Sequence, residues 1–102
     1  MNLKVGDILV YCYSYNARYP HFCRVIRTSA SFVWLEEVPK KWLDHDGYGQ
    51  NGRVIPDFGA PTKPMKGRYK VKYSNYSKGD YIVVNGCYAR IWDGTPEDEY
   101  TD

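Results

Sequence analysis

Helical periodicity is missing from this 102-residue chain: no segment keeps apolar residues at a helical spacing, and Lys40-Lys41-Trp42-Leu43 has room for one helical turn at most. No run nears the roughly 20 apolar residues that span a bilayer. Met1-Asn2-Leu3-Lys4-Val5-Gly6-Asp7 also lacks the apolar core of a signal peptide. The expectation is a cytoplasmic protein with no membrane partner. Cysteine is scarce and odd in number. Cys12, Cys23 and Cys87 are scattered, whereas small secreted scaffolds carry an even, dense set, so reduced thiols are expected.

The parts of a catalytic or metal site are equally sparse. His21 and Cys23 share a strand face, but no oxyanion element or Cys signature accompanies them, and strand cysteines usually act as small core hydrophobes. Cys12, His21, Cys23 and Cys87 supply zinc-type ligands without the close Cys-x₂₋₄-Cys spacing that anchors such a site. Asp44-His45-Asp46-Gly47-Tyr48-Gly49 begins like a calcium loop, yet Ile55 stands at the twelfth position, where a bidentate Glu belongs. No Gly-rich phosphate loop leads into a helix. The chain therefore reads as a non-enzyme, with no catalytic residue, cofactor or metal.

What is abundant is aromatic and β-forming. Aromatic residues make up 17% of the chain, with 11 Tyr and three Trp, each combining apolar area with a polar tip. Ile8 to Tyr15, Phe22 to Arg27 and Phe32 to Val38 are strand-like runs separated by turn residues, and they predict a meander. In the first run Ile8, Val10 and Cys12 fall on one face and Leu9, Tyr11, Tyr13 and Tyr15 on the other, so both faces want cover. Asp44 to Gly67 is a long Gly-, Pro- and Asp-rich insert with room for a short hairpin. Arg68 to Tyr73 alternates strictly, and Asn85-Gly86 between two apolar runs is a strong hairpin signal. The predicted core comprises Val10, Val25, Ile26, Val33, Leu35, Val71, Ile82, Val83 and Ile91, closed by Trp34 and Trp92.

Charge is unevenly spread. All 14 Lys and Arg precede Asp93, together with seven of the 12 acids, so the body is basic and the ending acidic. Residues 97–102 are read as an acidic tail, either frayed or folded back on the basic strand as a competitor for an acidic partner. Alternation places Lys66, Arg68, Lys70 and Lys72 on one side of a strand. That stripe either follows a phosphate backbone or guards a sheet edge. Tyr13, Tyr15 and Tyr19 around the first loop, with Tyr48 of the insert, form the expected partner-binding surface, to which the basic stripe is the alternative, since Tyr gives contact area at low rotamer entropy.

Lys4-Val5-Gly6-Asp7-Ile8-Leu9-Val10 resembles the opening strand of SH3-like barrels. Gly6-Asp7-Ile8-Leu9-Val10, the Tyr-rich loop running into Phe22-Cys23-Arg24-Val25-Ile26, and the ending Tyr88-Ala89-Arg90-Ile91-Trp92-Asp93-Gly94-Thr95-Pro96 together resemble small uncharacterised proteins of bacteriophages and prophages. The expected fold is all-β: a small SH3-like barrel of five or six antiparallel strands over residues 1–96, with 44–67 as one long inserted loop. The resemblance implies a phage-encoded binder of a host bacterial protein, such as an inhibitor of a CRISPR-Cas or other defence system. The alternative is a nucleic-acid-binding module using the basic strand face and Tyr stacking. Monomer and homodimer are both open.

Overall fold

The computed structural model describes residues 2–14, 17–45, 51–76 and 78–101. Among them the protein is all-β, with eleven strands and no helix: β1 Ile8–Ser14, β2 Ala17–Thr28, β3 Phe32–Val38, β4 Lys40–His45, β5 Asn51–Pro56, β6 Lys63–Pro64, β7 Tyr69–Lys70, β8 Lys72–Ser74, β9 Gly79–Val84, β10 Cys87–Ile91 and β11 Glu97–Thr101. All pairings are antiparallel, in the order β4-β5-β11-β2-β1-β10-β9-β8, with β3 beside β2 and with β6 and β7 on the outer edge of β3.

Twelve-residue β2 organises this sheet. One edge pairs with β1 along its whole length, from Ile8↔Arg24 to Ser14↔Arg18. The other edge is divided: residues 22–28 pair with β3, while Ala17 and Arg18 pair with β11. Both faces of β1 and β2 are covered. Leu9, Tyr11, Cys23 and Val25 pack with Val33, Leu35, Ile82, Val84 and Ala89, whereas Val10 and Phe22 pack on the opposite face with Val38, Val54 and the half-buried Ile8 and Trp92. Because β3 and β9 lie on opposite sides of β1 and β2 yet share one core, the sheet curls.

A closed ladder of five or six strands is not what the pairing gives. The sheet is open, and the strand expected over Arg68 to Tyr73 is split at Val71: Tyr69–Lys70 pairs with β3 and Lys72–Ser74 with β9. The insert is not one loop either, since it contributes β5, which pairs with β4 across the segment 46–50. Gly52 is required there. A Cβ on it would meet the carbonyl oxygen of Asp44 and the Trp42 ring at 2.8 Å.

The acidic ending is also corrected. Glu97–Thr101 is β11, inserted between β5 and β2, instead of a tail. Three predicted core residues, Ile26, Val83 and Ile91, are each 41% exposed. Ile26 is the extra residue of a β-bulge between Val25↔Leu35 and Arg27↔Trp34, which turns its side chain outward. In β9 the inward positions are Asp80, Ile82 and Val84, which leaves Val83 facing out opposite Tyr88. The Asn85-Gly86 hairpin forms as read, with φ of 51° and 79° at the two turn residues.

Candidate nucleic-acid interface

Strand β3 alternates Val33 and Leu35, which are buried, with Phe32, Trp34 and Glu36, which are half-buried on the opposite face. Cations from two neighbouring segments gather on that second face. From β2, the Arg27 guanidinium lies 4.3 Å from the Trp34 ring centroid. The bulge at Ile26 sets Arg27 opposite Trp34. From the segment running back along the β3 edge, Arg68 lies 4.0 Å and Lys70 5.6 Å from the centre of the Phe32 ring. Arg24 sits 5.6 Å from the exposed Phe58 ring and donates to Glu36 Oε1 at 2.9 Å, while Thr62 donates its hydroxyl hydrogen to Glu36 Oε2. A cation–π contact does not use up the N–H donors of a guanidinium.

On this face Arg24 is paired with Glu36, and four cations elsewhere in the sheet are paired as well. Arg18 and Arg90 share Glu97 Oε1 at 2.9 and 3.1 Å, Lys40 pairs with Glu99, and Arg53 grips Asp44. Among the described residues, Arg27, Lys63, Lys66, Arg68, Lys70 and Lys72 have no carboxylate partner, and neither do Lys4, Lys41 and Lys78. Glu97 and Glu99 are thus bound in the sheet by Arg18, Arg90 and Lys40, and they do not reach the basic strand as a competitor.

Of the basic residues expected on one stripe, Arg68 and Lys70 meet on Phe32, Lys66 is exposed in the bend before them, and Lys72 lies beyond the break on β8. Sequence reasoning missed Arg24, Arg27, Phe32 and Trp34. Their signal was the alternation Phe32, Trp34, Glu36 beside Val33, Leu35, but linking it to Arg27 needed the bulge. Of the tyrosine surface, Tyr19 is 37% exposed and is opposite Tyr13 in the β1–β2 register. Tyr15 and Tyr48 lie outside the described residues, as does the Tyr13 ring.

The thiol–imidazole pair has the chemistry of a core. Cys23 is fully buried, and desolvation, reinforced by Glu37, pushes its thiol up to about 12, so the thiolate that a nucleophile requires is suppressed. The His21 ring stacks on Tyr11 with centroids 5.3 Å apart, and burial with nearby Lys40 lowers its pKa. The Asp44 carboxylate is engaged by Arg53 through both its backbone N–H and its guanidinium, which holds it below the ordinary carboxylate range. Among the described residues no three His, Cys, Asp or Glu side chains are grouped as metal ligands. No family model, curated protein or solved structure matches the chain.

Proposed function

We propose that this protein is a non-catalytic binding module whose β3 face takes a single nucleic-acid strand. One observation carries the reading: Arg27, Arg68 and Lys70 stand against Trp34 and Phe32 without a carboxylate partner among the described residues, while cations around β11 are neutralised. Cations gathered on half-buried rings suit a flexible strand, whose phosphates take the charges and whose bases stack on aromatic or guanidinium planes. Edge protection alone does not call for guanidinium groups laid over rings. The same reading takes the fold as an SH3-like barrel. It is supported by the continuous segment Tyr69–Ser74, which pairs first with β3 and then with β9, the two sides of the curl.

Fluorescence anisotropy with a short single-stranded oligonucleotide over a salt series tests this. Each phosphate neutralised on a single strand contributes about −0.7 to the slope of log K against log salt, so contacts from Arg27, Arg68 and Lys70 give about −2. Arg68→Ala should make the slope shallower by about one contact. Absence of binding at low salt refutes the proposal.

The second reading is a phage-encoded protein that engages a host bacterial protein, including an inhibitor of a defence system. It is favoured by Tyr19 and by exposed Val83 and Tyr88, which lie opposite each other on β9 and β10. A pull-down from bacterial lysate discriminates: a stoichiometric protein that survives nuclease and high salt supports this reading, and recovered nucleic acid supports the first.

A further inference from the structure

The row of aromatic rings on the β3 face does not end at Trp34. Glu36 follows on the same face, and Arg24, its cross-strand neighbour, donates from Nη1 to Glu36 Oε1 at 2.9 Å while its guanidinium carbon lies 5.6 Å from the centroid of the Phe58 ring. The Thr62 hydroxyl donates to the second oxygen of Glu36, also at 2.9 Å. Side-chain contacts therefore tie Phe58 to the Glu36 end of a row that begins with Phe32 against Arg68 and continues with Trp34 against Arg27.

The loop that carries Phe58 is fastened at both ends. Asp57 N–H donates to the Pro39 carbonyl at 2.7 Å, and Lys63–Pro64 pairs with Glu36 and Glu37 of β3. Between them, the Gly59 N–H donates to Asp57 Oδ1 at 3.1 Å. Phe58 nevertheless stays 57% exposed, more than the half-buried Phe32 and Trp34. One exposed apolar residue is ordinary on a protein surface. A ring held on a pinned loop against a guanidinium, at the end of two others held the same way, makes a series.

Charge divides that series. Arg27, Arg68 and Lys70 have no carboxylate partner among the described residues, whereas Arg24 is neutralised by Glu36. The first two rings therefore stand beside charges that attract phosphate, and Phe58 does not. Spacing suits a single strand. Phe32, Trp34 and Glu36 alternate along β3, which sets roughly 6.5 Å per step, about twice the 3.4 Å between nucleotides along a duplex strand. A strand laid along the row is unstacked, so each base is free to turn onto a ring.

We infer that Phe58 is a third base-stacking position, which takes a base at one end of the bound strand with no phosphate contact of its own. The inference rests on the single-strand reading of the β3 face and extends that site by one nucleotide.

A length series tests it. Unlabelled thymidine oligomers, from dinucleotide to hexanucleotide, compete with a labelled strand for the full chain, read by anisotropy over a salt series. Affinity should step up about tenfold once the oligomer is long enough to reach Phe58. Phe58→Ala should abolish that step and weaken the longer oligomers about tenfold, with the salt slope unchanged at about −2 because no phosphate contact is lost. Phe58→Leu, which keeps apolar area without an aromatic face, should lose the step as well. Arg68→Ala gives the opposite pattern, a shallower slope with the step retained. A length step that survives in Phe58→Ala or Phe58→Leu, or a slope that flattens by one contact in Phe58→Ala, overturns the inference and leaves the wider proposal standing. Absence of binding by the unaltered protein at low salt overturns both.

Discussion

Replacing Glu97 by Ala separates a strand from a tail. In the structure the Glu97 side chain is only 6% exposed and its Oε1 accepts from Arg18 at 2.9 Å and Arg90 at 3.1 Å, thereby tying β11 to β2 and β10. Charge-assisted hydrogen bonds contribute about 1.5–3 kcal/mol each when shielded. The two arginine side chains are 27% and 42% exposed, so water recovers part of each loss and the sum has to be discounted. About 2 kcal/mol is the expected cost. For a domain of this size that lowers Tm by roughly 10 °C. Asp98→Ala, at an exposed neighbour, should stay within about 0.5 kcal/mol. Thermal unfolding followed by circular dichroism reads both. Because the Glu97 carboxylate is shielded, the difference between the variants should persist in high salt. A Glu97→Ala shift no larger than that of Asp98→Ala would refute the placement of β11.

Two further outcomes follow from burial. Ile82→Ala should cost about 2–5 kcal/mol by denaturant titration, because Ile82 is fully buried, while Val83→Ala next to it should cost well under 1 kcal/mol. Equal losses would mean that the β9 register is wrong. Cys23 should resist thiol reagents in the native protein and react once it is unfolded. Its folded-state pKa is raised to about 12 from 9.0, so above pH 9 the unfolded chain releases a proton that the native state retains. Stability should therefore fall as pH rises from about 9 towards 12. A Cys23→Ala variant with an unchanged alkaline limb would remove that assignment.

The residues that could be read from sequence were those decided by their nearest neighbours. Asn85 and Gly86 accept positive φ, so the β9–β10 turn follows from two adjacent residues. The mixed faces of Ile8 to Tyr11 announced that β1 would be covered on both sides, and it is. Apolar alternation identified Val25, Val33, Leu35 and Ile82 as core. An all-β chain was legible because strand-like runs and turn residues alternate throughout and no helical spacing competes.

Tertiary structure decided what depends on distant register. The Glu97-Asp98-Glu99 run carries the polarity of a tail, and it becomes a strand only because Arg18, Arg90 and Lys40, from three other strands, converge on two of its carboxylates. Strict alternation over Arg68 to Tyr73 called for one strand. The segment instead serves two partners, β3 and β9, and breaks between them. Of the candidate binding face, sequence marked Arg68 and Lys70 as neighbours in a basic stripe. Their placement over Phe32, and that of Arg27 over Trp34, required a pairing and a bulge that no local pattern encodes. Side-chain period is a property of a strand, but which edge that strand meets is set by the whole sheet.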